Sequence, residues 1–181
     1  PFFSFLKYWT VSSADYKKLV LGLLVFAVVN SSDVFLLLKA KQTGLDDSLV
    51  IMLYIFYNLI YALFAFPLGI IADRIGLKTI LILGLALFSF VYFGMSVNEN
   101  KILFFELFFL YGVYAAATEG VSKAWITNIT HKNDVATAIG TFAGLQSICT
   151  MIASSLTGIV WLLFGATVLT PYNLDRFFKR I

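Results

Sequence analysis

Polar residues interrupt this otherwise apolar sequence at a few places, and each could do a different kind of work. Asn30-Ser31-Ser32-Asp33 gathers an amide, two hydroxyls and a carboxylate within one helical turn. With Asp33 roughly 10 Å below a bilayer surface, by the 1.5 Å rise per helical residue, such a patch could bind a solute or exchange a proton. It could equally be a hydrogen-bonded contact between helices with no further role. Tyr54, Asn58 and Tyr61, with Tyr57 among them, follow helical spacing and could line a cavity with hydroxyls and an amide; tyrosines are also ordinary packing residues. Glu119 and Lys123 stand four apart, so they stack on one helix face and can pair, statically or as a contact that breaks and re-forms. Pro67-Leu68-Gly69-Ile70-Ile71-Ala72-Asp73-Arg74-Ile75-Gly76-Leu77-Lys78 combines glycines with charge. Gly69 would let a neighbouring helix approach closely. Asp73 and Arg74 can cap helix ends and pair with a neighbour, Gly76 permits a tight turn, and Lys78 falls at the headgroups. Ionisable groups inside apolar stretches are costly and usually face a cavity or a partner. Glu106 is placed to reach the interface, and His131 to be solvated. No metal-ligand spacing, nucleophile constellation or phosphate-binding loop is present, so neither a metal, a cofactor nor an enzymatic reaction is expected.

The elements that must position these residues are membrane spans. The 181 residues are 60% hydrophobic and only 13% charged, against about 25% charged in soluble domains, and the mean hydropathy is +0.90. Apolar runs of about 18 residues or more indicate spans rather than core helices. They are expected at about 18–38, 49–72, 79–97, 102–126 and 135–163, with Pro67 kinking or ending the second and Asp134 capping the fifth. A sixth begins at Gly165 and fails at Pro171-Tyr172-Asn173, which leaves 170–181 as an atypical polar tail. Residues 1–16, rich in aromatics, suit a cytoplasmic or interfacial linker. The short loops make successive spans antiparallel neighbours. Gly112, Ala116 and Gly120, and Gly140 with Gly144, form small-residue stripes that allow close helix approach. The fold class is therefore all-α integral membrane, an antiparallel bundle of five spans plus a truncated sixth.

Basic residues set the orientation. One side holds Lys7, Lys17, Lys18, Arg74, Lys78, Lys123 and Lys132, the other Lys39, Lys41 and Lys101, so the first side is expected to be cytoplasmic. Arg176, Lys179 and Arg180 fall on the wrong side for five spans. The net charge of +3 suggests no nucleic-acid partner, and the single Cys149 excludes an internal disulfide. Beginning at Pro1, the chain is expected to be part of a longer polypeptide.

The glycine-and-charge segment after the second span resembles the Gly-x-x-x-Asp-Arg-x-Gly-x-Lys loop of the major facilitator superfamily, with Leu77 where that family usually has Arg or Lys. Asn30 to Asp33 and Thr118 to Ala124 resemble the C-terminal halves of its bacterial members. The resemblance covers about residues 17–169. It implies half of a 12-helix fold, with these spans as the seventh to eleventh helices and a missing N-terminal six-helix half as partner. It also implies a secondary transporter in the cytoplasmic (inner) membrane that moves a small-molecule substrate by alternating access, with a proton gradient as a candidate driving force. The cavity would take Asn30, Asp33, Asn58 and Tyr61; the cytoplasmic gate would take Gly69, Asp73, Arg74, Gly76, Lys78, Glu119 and Lys123. A non-transporting binding or scaffold protein, or an inactive gene fragment, remains the alternative. A membrane-embedded enzyme would need polar or metal-binding residues gathered at one depth, and the sequence has none.

Overall fold

A computed structural model of the chain describes residues 4–30, 32–98 and 100–164. The expected truncated span and polar tail after position 164 lie outside the described residues, as does Ser31. The described chain is helical throughout: α1 (Ser4–Val11), α2 (Ala14–Val29), α3 (Val34–Gln42), α4 (Asp47–Ile75), α5 (Leu77–Val97), α6 (Lys101–Ile129) and α7 (Val135–Phe164). Five stretches are long and apolar enough to cross a bilayer, with α2 and α3 forming one of them together.

Local chemistry starts these helices. Ser13, Asp46 and Asn100 each place a side-chain oxygen on a free N–H of the first turn: Tyr16 at 3.2 Å, Leu49 at 2.9 Å and Ile102 at 2.9 Å. Each such cap contributes about 1 kcal/mol. The turn from α4 into α5 is a single residue, Gly76, with φ +99° and ψ 135°. Side chains rarely adopt that backbone, at a cost of about 1–3 kcal/mol. Gly76→Ala is therefore expected to destabilise the purified protein by that amount, read from thermal unfolding in detergent. Gly22→Ala serves as control, since a Cβ there meets nothing within 4 Å; equal midpoints for the two variants would refute the strain.

One expectation for the helices is narrowed and one needs correction. Of the two outcomes expected at Pro67, an end to the helix does not occur, since α4 continues to Ile75. The missing N–H frees one carbonyl, a loss that a helix inside a bundle tolerates. The first span is not continuous either. Asn30 closes α2 at φ −84° and ψ 95°, and α3 starts only at Val34. Short polar side chains compete with the helix for backbone groups: the Val34 N–H lies 3.4 Å from Ser32 Oγ, and the Ser32 N–H donates across to Ser154 Oγ on α7 at 3.3 Å. A broken backbone at membrane depth is tolerated where such partners surround it.

The bundle is organised around α6, whose most apolar stretch is 56% buried, against 17% for α4 and 33% for α5. It packs chiefly against α4 and α5 and also touches α2 and α7. Two apolar clusters hold the ends together. Phe88, Val91, Met95, Phe104 and Phe108 fill the end beside the 43–46 turn. Tyr16, Val20, Ile80, Val121, Ile126 and Ala138 fill the end beside Gly76. Close helix approach falls at one glycine of the expected stripes, Gly112, and at Gly84 outside them. A Cβ on Gly112 would come within 2.7 Å of the Tyr57 carbonyl, and one on Gly84 within 2.7 Å of Thr118 Cγ2. At Gly69, Gly120 and Gly140 it would meet nothing within 4 Å, so no described helix uses Gly69 as a point of contact.

Candidate functional site: a tyrosine-lined cavity at the break in the first span

The break between α2 and α3 does more than interrupt a helix. Asp33 heads α3, yet its carboxylate does not cap that helix. Instead Oδ2 accepts from the Tyr57 hydroxyl of α4 and Oδ1 from the Tyr111 hydroxyl of α6, both at 2.5 Å. Asn30 works in the same way toward other helices. Its Nδ2 donates to the Tyr114 hydroxyl of α6 at 3.2 Å, and its Oδ1 lies 3.4 Å from the Tyr92 hydroxyl of α5. With Ser154 added, the broken segment is joined by hydrogen bonds to every other span. Tyr57, Tyr111 and Tyr114 are buried, 6%, 2% and 4% exposed, so their hydroxyls need these partners. Their rings continue as one aromatic chain: Tyr57 to Tyr111 at 5.4 Å, Tyr111 to Tyr114 at 5.3 Å, Tyr114 to Phe88 at 5.0 Å and Phe88 to Phe26 at 4.9 Å.

Beside this network lies a cavity of about 240 Å³ lined by Asn30, Asp33, Tyr57, Asn58, Tyr61, Tyr111, Tyr114, Ala115 and Glu119. A second, of about 200 Å³, shares Asn30, Tyr114 and Glu119 and runs on past Thr118, Ser122 and Lys123 to Gln146 and Thr150 of α7. Asn30, Asp33, Asn58 and Tyr61 are thus brought together around one cavity. Asn58 turns its Nδ2 back to the Tyr54 carbonyl at 2.8 Å, and Tyr61 lies in electrostatic reach of Glu119. Tyr54 is 49% exposed and does not line the cavity, so α4 contributes Tyr57 and Tyr61 to the wall.

A family model described as Major Facilitator Superfamily matches residues 19–170. That range contains the break, the cavity and all but the start of the first span. The chain belongs to the major facilitator superfamily. It is 31% identical over 153 residues to an uncharacterized MFS-type transporter of Methanocaldococcus jannaschii; the match covers 81% of this chain and 38% of that protein. The chain thus spans well under half of that relative's length. No solved structure matches it significantly. This facilitator chain is a multi-pass membrane protein of a transporter family.

The residues of the facilitator loop fall together at one end. Asp73 and Arg74 occupy the last turn of α4, Gly76 is the turn itself, and Lys78 opens α5. All are exposed. Glu119 and Lys123 depart from expectation, because they do not reach ion-pair distance of each other or of this loop. Spacing allowed the pair but did not enforce it. Glu119 belongs to the cavity wall with Tyr61, while Lys123, one turn on, lines only the second cavity. Tyr92, Tyr111, Tyr114 and Ser154 were missed. A sequence signal existed for α6, where Tyr111, Ala115 and Glu119 repeat every four residues on one face. Tyr92, a lone tyrosine in an apolar helix, gave none.

Proposed function

We propose that this chain is the C-terminal half of a secondary active transporter that moves a small solute by alternating access across the cytoplasmic membrane. The missing N-terminal half supplies the other wall of the pathway, and a proton gradient is the candidate driving force. One observation carries this reading: the broken first span holds a carboxylate and an amide inside the bundle, the carboxylate bonded to α4 and α6 and the amide to α5 and α6, beside a polar cavity. Discontinuous helices whose polar break faces a midplane cavity are how transporters hold solutes and ions between repeats. A site bonded to every neighbouring span can also pass a change in its own charge to each of them. Asn30, Asp33, Asn58 and Tyr61 are assigned to the cavity. Gly69, Asp73, Arg74, Gly76, Lys78, Glu119 and Lys123 are assigned to the cytoplasmic gate, and Glu119 also lines the cavity.

The test does not require the substrate to be known. In the full-length protein, with every native cysteine replaced, Cys149→Ser among them, Asn58→Cys places a thiol on the cavity wall. A membrane-impermeant maleimide should modify it in both right-side-out and inside-out vesicles. The two rates should move in opposite directions when a pH gradient is imposed. Modification from one side only, under every condition, would mean a static binding or scaffold protein.

A further inference from the structure

We infer that the larger cavity is built for an organic cation, a protonated amine or quaternary ammonium group held between Asp33 and Glu119 against tyrosine faces. This inference rests on the transporter reading and names its substrate class. The wall contains two carboxylates, two amides and four tyrosines, but no Lys, Arg or His. The hydrogen bonds Asp33 receives come from neutral hydroxyls, so they satisfy lone pairs without supplying positive charge. Glu119 has no ion pair with Lys123, the basic residue one turn along its own helix. Ionisable groups at membrane depth usually face a partner or a pathway, and the described wall offers these carboxylates no basic partner.

The aromatic surface selects the kind of cation. Ring faces attract cations through their quadrupole, most strongly when desolvated, and the rings of Tyr57, Tyr111 and Tyr114 form a continuous run. Tyr111, which anchors Asp33, and Glu119 are two turns apart on α6, about 12 Å along the axis. A cation would thus find a carboxylate at each end of a tyrosine-lined path. The volume of about 240 Å³ is more than a bare inorganic ion needs. Among the described residues no cluster of His, Cys, Asp and Glu could hold a metal ion. An anion would meet both carboxylates, and a neutral solute would leave both uncompensated.

The experiment is equilibrium binding of tritiated benzyltrimethylammonium to the full-length protein in lipid nanodiscs. Saturable binding is expected, displaced by choline but not by its uncharged carbon isostere 3,3-dimethylbutanol or by benzenesulfonate. Asp33→Asn and Glu119→Gln should each weaken it about tenfold, the scale of one charge-assisted contact. Glu119 is exposed, so its variant keeps the test valid if the Asp33 variant does not fold. Equal displacement by the uncharged isostere, or unchanged binding in the Glu119 variant, would overturn the inference. Absence of binding to the protein with Asn58 intact, while the separate Asn58→Cys variant reports two-sided access, would also overturn it, leave the transporter reading standing, and assign the carboxylates to protons. Charge-selective binding with one-sided access would keep the cation site and remove the transporter.

Discussion

Asp33→Ala is expected to destabilise the protein by about 2–6 kcal/mol, the sum of two buried hydroxyls each losing an acceptor at about 1–3 kcal/mol. The magnitude follows from where the donors are. The Tyr57 and Tyr111 hydroxyls both end on the Asp33 carboxylate, and their side chains are 6% and 2% exposed. Asp33→Asn keeps one carbonyl oxygen, so it should lose less than Ala does. The decisive comparison is the triple variant Asp33→Leu, Tyr57→Phe, Tyr111→Phe. Removing donors and acceptor together leaves nothing unpaired, and such replacements can be nearly neutral. Thermal unfolding in detergent should place the triple variant well above Asp33→Ala. A triple variant as unstable as the sum of its parts would mean that the three side chains do not act as one network.

Gly112→Leu is expected to abolish folding of the bundle, and Gly112→Ala to cost about 1–3 kcal/mol, the usual penalty of overpacking a well-packed interface. The contact lies in the α4–α6 interface, one of the two most extensive in the bundle. A Cβ at position 112 would come within 2.7 Å of the Tyr57 carbonyl oxygen and 2.8 Å of Ile60 Cβ. Backbone cannot swing aside as a side-chain tip can, so the two helices must separate. Separation would also draw Tyr57 away from Asp33, coupling a packing fault to the polar site. Gly120→Ala, two turns along the same helix with nothing within 4 Å, is the matched control and should change stability by less than about 0.5 kcal/mol. Size-exclusion profiles and unfolding midpoints would read both; a well-folded Gly112→Leu protein would show that α4 and α6 do not meet there.

The spans were legible in the sequence because bilayer thickness and backbone satisfaction leave few choices for apolar runs of this length. The break in the first was not. Leu24 to Val29 and Val34 to Leu38 are apolar on both sides of the patch, so hydropathy runs straight across. Whether Asn30 and Asp33 bond locally or to other helices depends on neighbours that arrive later in the chain. The tyrosines of α4 show the same limit. Tyr54, Asn58 and Tyr61 share a helical face by spacing, but α6 decides which part of that face is inside, and it selects Tyr57 over Tyr54. Glu119 and Lys123 could pair by spacing alone; the cavity wall takes Glu119 instead. Glycine stripes were visible too, yet only the glycine that meets a backbone does the work, and sequence does not say which that is.

The broken first span also sets a schedule for synthesis. Asp33 leaves the ribosome 24 residues before Tyr57 and 78 residues before Tyr111. At about 5–20 residues per second, the carboxylate waits about 1–5 s for its first hydroxyl and about 4–16 s for its second. During that interval α2 alone, about 24 Å long, is shorter than the roughly 30 Å hydrocarbon core. The segment that follows it carries a charge and the backbone groups of the break. Its polar contacts can be completed only after α4 and α6 have emerged, so the span that is made early is among the last to have its polar groups paired.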